Sequence, residues 1–500
     1  MNNMYKRIII SFSITLITLF GVIATGVKKV PEITTISKEA LEFYLKGVDH
    51  YQNFYAKEAI REFENAIDLD REFAMAYLGL SRAHEREGNY IKSRQIIEKA
   101  ALFEEFVTER EALIIEIEKN GGRNQDQRIS DSLIQVLYEK YPNTIEANDF
   151  KARVALRDMD VAEAIIHYEK ILKINPDYVS VYNNLGYMYS NQGRYEDAIK
   201  HFKIYAKKAS GQANPYDSLG EILIKVGRYR EAIESLEKAL EIKPELSEEK
   251  SRLGSAIHKN LGDAYFGIGQ ISKATEYFDL AQSLNPSENV LLEAVTSKFL
   301  ISLVSNKKEE FSANLELLEL LKANYNTKPY AHLFHGLYYL KAKDVNSAIV
   351  ESEELGIVIE ALAENNSSAK LRFQPIHGSL EAEILLTQKR YSEAVDVFES
   401  KCFISEGAKQ SQWLNWRLAE AYRLGGEYEK SDNLVNDFLK INPNHFLLRS
   451  VMVQSYFDRG DYKRTKTELK KLKELLADAD SDLTILSDMN NIEDALEVLL

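Results

Sequence analysis

The phrase GRYEDAIKHF at residues 193–202 returns as GRYREAIESL at residues 227–236, 34 positions later. A single helical hairpin cannot bury its own apolar face, so a chain that repeats one helical phrase at this interval must stack its units. Three consecutive stretches share the skeleton. The first carries Leu185, Gly186, Tyr189, Gly193, Tyr195, Ala198 and Phe202. The second has Leu219, Gly220, Leu223, Gly227, Tyr229, Ala232, Leu236, Ala239 and Pro244, and the third Leu261, Gly262, Tyr265, Gly269, Ala274, Phe278, Ala281 and Pro286.

Each letter has a physical reason. Leu and Tyr three or four apart make an apolar stripe on the first helix of a unit. Gly186, Gly220 and Gly262, with Ala198, Ala232 and Ala274, let two helices approach closely. Gly193, Gly227 and Gly269 fall in the turn, where a positive φ is cheap only for glycine. Pro176, Pro244 and Pro286 end the second helix. Helix breakers are otherwise few, with 9 Pro and 23 Gly in 500 residues. The apolar fraction of 45% and charged fraction of 28% belong to a folded chain. An all-α array follows.

The pattern L-G-x2-Y…A-x3-F…A…P resembles the tetratricopeptide repeat family. The resemblance implies a right-handed α-α superhelix, an interaction scaffold rather than an enzyme, and no cofactor. A second similarity is to the repeat tails behind some bacterial kinases and transcription regulators, carried by ALEFYLKGVDHY, EREALIIEI and NPYDSLGEIL. No kinase or DNA-binding head precedes these motifs, so regulatory activity does not carry over.

Weaker copies flank the three good ones, giving about eleven or twelve units on the 34-residue ruler. Residues 39–288 read as a first array of about seven units, the third degenerate around Gly121 and Gly122. An insertion of about eight residues near 247–254 lengthens the next first helix. Residues 289–328 form a hairpin without signature residues, with helices over 290–305 and 308–323 and a bend between sub-arrays. Residues 329–481 resume the array, and 482–500 cap it.

The N-terminal residues 1–29 differ in kind. Lys6 and Arg7 precede the uncharged stretch 8–27, and Lys28 and Lys29 close it. That reads as an export signal, either retained as a membrane anchor or cleaved after the small residues near Ala24, with a buried helix of a cytoplasmic fold as the third reading. The two leading readings place the rest outside the cytoplasm, membrane-anchored or secreted/periplasmic, with residues 30–38 as a linker. The net charge of -14 argues against a nucleic-acid partner. Cys402 is the only cysteine, so no intrachain disulfide forms, and it reads as a small core residue.

Isolated motifs carry little chemistry. His332 and His335 have metal spacing on a helix but lack a third ligand. DADSDLTILSDM begins like a calcium loop yet has Leu483 and Met489 where Gly and Glu belong. FGIGQIS is a repeat turn rather than a dinucleotide loop. Asn365 and Asn366 each meet the N-x-S rule. No metal site or catalytic set is expected.

What remains is a groove lined by first helices, predicted to present Asn183, Asn184, Tyr187, Asp217, Glu221, Lys259, Asn260 and Asp263 to a protein or peptide partner. Some family members grip a C-terminal carboxylate with a Lys-Asn-Asn-Lys-Arg clamp. Here only Asn184 matches, and Asp149, Arg153, Asn214 and Ser218 occupy the other positions. The leading reading is an exported, membrane-tethered protein–protein interaction scaffold. The alternatives are an extracytoplasmic adaptor for peptides or glycans, and an enzyme with its site in residues 289–375.

Overall fold

The computed structural model describes residues 33–121, 127–248, 250–285, 288–305, 327–403 and 411–499. Among them are twenty-four α-helices and no named strand. They form two compact units, the first ending at Ser210 and the second beginning at Gly211.

The first unit is five hairpins in succession: Lys38–Gln52 with Ala56–Leu69, Ala74–Arg86 with Tyr90–Ala101, Glu109–Asn120 with Gln127–Lys140, Ile145–Arg157 with Val161–Ile174, and Val179–Asn191 with Tyr195–Lys208. The second opens with Asn214–Lys225 and Tyr229–Ile242, then Arg252–Gly267 and Ile271–Leu284. Arg252–Gly267 has 16 residues against 12 in Asn214–Lys225, and a 3-10 turn at Pro244–Ser247 precedes it, which accommodates the insertion. The expected helix over 290–305 is Glu288–Val304, while the one over 308–323, Gly122 and Pro286 lie outside the described residues. Further hairpins follow to Tyr462–Leu475, and Thr484–Leu499 ends the unit.

Close approach at the small positions is visible in the contacts. A Cβ on Gly262 would stand 2.5 Å from the Phe278 ring, so only glycine lets that ring, 1% exposed, lie against the first helix. The turns keep one backbone shape throughout. Gly88, Gly193, Gly227, Gly269, Gly426 and Gly460 have positive φ, and so do Phe54, Met159, Lys343 and Lys389 at the same point of their hairpins. These four units therefore keep the left-handed turn with a side chain in place of glycine, at a cost of about 1–2 kcal/mol.

Part of the expected linker is ordered. Thr34 donates through its N–H and its hydroxyl to the Glu111 carboxylate at 2.9 and 2.6 Å. The Thr35 hydroxyl and the Ile36 N–H both donate to Asp70 Oδ2. Glu111 is fully buried and is also the partner of Thr108 in the capping box that starts Glu109–Asn120. Residues 33–37 are thus a strap across the first three hairpins.

The second unit closes on itself. Asn442 Nδ2 donates to the Tyr229 hydroxyl at 2.8 Å, and Asn444 Nδ2 to the Gly227 carbonyl at 2.9 Å. Asp480 donates its N–H to the Gly269 carbonyl and accepts from the Ser272 N–H. Arg230 pairs with Asp478 at 2.8 Å, and Phe266 meets Phe446 edge to face at 5.4 Å. An isolated antiparallel bridge joins Ser305 to Leu483. The last turns of the resumed array seat on the turns of the 211–285 repeats.

Candidate functional site

In each unit the polar chemistry runs along the first helices of successive hairpins. In the first unit Arg82, Glu118 and Arg153 come from three consecutive first helices, Ala74–Arg86, Glu109–Asn120 and Ile145–Arg157. Both guanidinium groups reach Glu118 Oε1, at 2.6 and 2.9 Å. Burial alone would raise the Glu118 pKa, but the two cations outweigh it and hold the carboxyl at about 2. Arg153 also faces Asp149 at 3.6 Å. Next along, the Asn184 side chain hydrogen-bonds the Tyr168 hydroxyl, whose pKa burial raises.

In the second unit Asp217 on Asn214–Lys225 accepts a hydrogen bond from Asn260 Nδ2 on Arg252–Gly267 at 2.9 Å. It is 7% exposed. Burial first, and the Glu221 charge second, push its pKa to about 7, against the lowering by Asn260 and Lys259. Lys259 Nζ pairs with Asp263 Oδ2 at 3.0 Å, and that carboxylate is the main reason its own pKa is raised.

The eight groove residues thus divide between the units. Asp217, Glu221, Lys259, Asn260 and Asp263 are brought into one cluster, with Glu221 exposed at its edge. Asn183, Asn184 and Tyr187 share the helix Val179–Asn191. Three of the eight, Asn183, Asp217 and Asn260, are buried rather than presented to solvent. Their polar groups sit on the tightly packed side of a first helix, and among the described residues the Asn183 Oδ1 has no hydrogen-bond partner. Tyr187 lies edge-on to Phe202 at 5.0 Å, which uses part of its ring in packing. Sequence reasoning missed Arg82 and Glu118, and took Arg153 only as a failed clamp position. The available signal was charge of alternating sign recurring at close to the repeat interval.

The isolated motifs resolve into structure. His332 and His335 are buried, and His332 Nδ1 lies 2.7 Å from Glu351 Oε2. Among the described residues no group of three or more His, Cys, Asp or Glu is placed to hold a metal ion. Asp478 and Asp480 of the calcium-like stretch are engaged by Arg230 and Ser272 in the closure. The FGIGQIS stretch is a turn, with Gly269 at φ 78°. Cys402 is a buried free thiol whose pKa burial pushes up to about 12, in keeping with a core residue. Asn366 Oδ1 accepts from the Ser368 N–H in the turn between two helices. No described helix is long and apolar enough to cross a membrane, and residues 8–27 lie outside the described residues.

Models of the tetratricopeptide repeat match residues 44–105, 167–200 and 211–285. The chain is a tetratricopeptide-repeat protein. No curated protein matches it. Among solved structures, that of Pseudomonas aeruginosa pilF is similar at 19% identity, covering 42% of this chain and 90% of that one, with a TM-score of 0.34. Two structures of MamA align at 20% identity over 43% of this chain and 96% and 94% of theirs, with TM-scores of 0.25 and 0.26. At these scores the likeness says nothing further of this chain. Tetratricopeptide repeats typically bind other proteins or peptides.

Proposed function

We propose that this tetratricopeptide-repeat protein is a non-enzymatic protein–protein interaction scaffold, exported and tethered to the membrane through residues 8–27, that assembles envelope partners on its first-helix faces. The observation that carries the reading is the polar rows on adjoining first helices, Arg82–Glu118–Arg153 in one unit and Lys259–Asp263 with the exposed Glu221 in the other. Fixed charges and amides on adjoining helices recognise an extended or helical peptide through hydrogen bonds that water cannot fully replace in a groove. Tethering adds local concentration without new contacts. The flanking Lys6, Arg7, Lys28 and Lys29 support the anchor.

The test is crosslinking of intact cells that express the tagged full chain, followed by identification of what co-purifies with the membrane fraction. The scaffold reading expects a near-stoichiometric envelope protein, lost when Arg153 and Glu221 are changed together to Ala. Heterogeneous peptides or glycans in its place would make the protein an adaptor. Recovery only from the soluble extracytoplasmic fraction would remove the tether.

A further inference from the structure

Charge is spread unevenly over the helices of the second unit. Tyr462–Leu475 carries six cations and two acids in 14 residues, within a chain whose net charge is -14. Val345–Asn365 is its opposite, with five carboxylates and no Lys or Arg in 21 residues. Each is the second helix of its hairpin, so neither belongs to the first-helix faces.

The two surfaces share one layout. Lys463, Lys466 and Lys470 are exposed and follow the i, i+3, i+7 spacing of a single helix face. Glu353, Ile357 and Glu360 are exposed at i, i+4, i+7. On each helix the outer charges stand two turns apart, about 10 Å. Among the described residues Lys463, Lys466 and Glu353 have no ion pair. Lys470 meets Glu474 only at 3.9 Å. Glu360 pairs with Lys370 at 2.5 Å, with both side chains more than half exposed.

The acidic face is also apolar. Val350 and Ile357, two turns apart on it, are 56% and 63% exposed. Covering one such side chain is worth about 1.5–3 kcal/mol. The methylene stem of Lys466 can lie over Ile357 while its ammonium reaches a carboxylate beside it. Exposed ion pairs add only about 0–1 kcal/mol each. They fix the register and reject like-charged surfaces, and apolar cover supplies most of the affinity. Both faces are open within their own chain, so they meet only between two copies.

We propose that Tyr462–Leu475 of one copy docks on Val345–Asn365 of a second copy, with Lys463 and Lys470 on Glu353 and Glu360 and the Lys466 stem over Ile357. Charge complementarity selects this occupant. An anionic membrane or an unrelated acidic chain would use the lysine face alone, whereas a second copy accounts for both faces, their opposite sign and their common spacing. The contact joins two different patches and is therefore heterologous. It does not rest on partner binding by the first-helix faces.

The test is sedimentation equilibrium of the full chain in a nonionic detergent, at low and high salt. Self-association with a Kd on the order of 10–100 μM is expected in low salt, weakened at least about tenfold in high salt. Lys463→Glu with Lys466→Glu and Lys470→Glu should leave a monomer, as should Glu353→Lys with Glu360→Lys. Mixed, the two variants should form an equimolar complex, because each brings the intact face that the other lacks. That recovery also shows both variants to be folded, and the micelle is the same in every sample. A wild type that stays monomeric at about 0.1 mM in low salt, association that survives either reversal, or no complex in the mixture would each overturn the proposal. So would a monomeric wild type whose lysine face binds polyglutamate, since that face would then serve an unrelated acidic chain.

Discussion

Glu118 and Asp217 occupy comparable places, each a carboxyl on a first helix facing the next hairpin, yet their surroundings drive them apart. Glu118 lies between two guanidinium groups and is held at about 2. Asp217 has only an amide at hydrogen-bond distance, with Glu221 adding a like charge, and is pushed to about 7. The same repeat geometry therefore yields one acid that is ionised at any physiological pH and one that is half protonated near neutrality. What decides the outcome is whether the neighbouring helices supply cations, and burial is common to both.

The sharpest way to break this comparison is Asp217→Asn. A carboxyl with a raised folded-state pKa binds its proton more tightly when folded, so its favourable contribution is present at low pH and fades as pH rises from about 4 to about 7. The variant should melt like the wild type near pH 4 and be more stable above pH 7, by up to about 4 kcal/mol. Glu118→Gln should act with the opposite sign: the stability that Glu118 supplies above its unfolded pKa is lost as pH falls toward 2, so that variant should be weaker at neutrality. His445 complicates the wild-type profile, because its lowered pKa makes stability rise between about pH 4 and 6.5, against the Asp217 slope. Only the difference between variant and wild type, measured by calorimetry at several pH values, separates them.

A second contrast is topological. The first unit is a run of hairpins, whereas the second is closed by contacts between residues more than 200 positions apart, such as Asn442 with Tyr229 and Asn444 with Gly227. Asn442→Ala with Asn444→Ala should cost about 2–3 kcal/mol, since it also strands the Tyr229 hydroxyl and the Gly227 carbonyl. Hydrogen exchange should rise together at 227–230 and at 442–446, while the first unit keeps its protection. Exchange confined to one side would mean that the closure adds nothing to cooperativity.

The smallest expected effects lie in the turns. Lys343→Gly should stabilise the second unit by about 1 kcal/mol by removing left-handed strain, and Gly193→Ala should destabilise the first by a similar amount. No atom lies within 4 Å of a Cβ on Gly193, so steric clash does not confuse that measurement. Opposite shifts in melting temperature are the expected readout.

Those turns also show what was legible in the sequence. Gly193, Gly227 and Gly269 announce their hairpins because glycine is the cheap solution to a left-handed residue. Met159, Lys343 and Lys389 adopt the same φ without announcing it, so their units read as weaker copies although their backbone is regular. The period made the helices readable, together with the Gly262 and Phe278 contact. It has no means of marking the closure, which pairs residues from unrelated positions of distant units. Polar residues on the first helices were read as surface, and Asn183, Asp217 and Asn260 are buried because stacked helices there leave room for an amide or a carboxyl but little for solvent. Glu118 escaped notice because it sits in the degenerate third unit, and Arg82 because its ion pair is visible only once that unit is in place.

The strap at residues 33–37 gives the first unit a defined load path. Tension applied at Ile33 enters through Thr34 into Glu111 of the third hairpin, and through Thr35 and Ile36 into Asp70 at the end of the first. The force is shared in shear by several hydrogen bonds before it reaches the opening turn of Lys38–Gln52. A helix pulled from its end would otherwise peel turn by turn. The strap works as a strain relief, of the kind that keeps a cable from tearing at its plug.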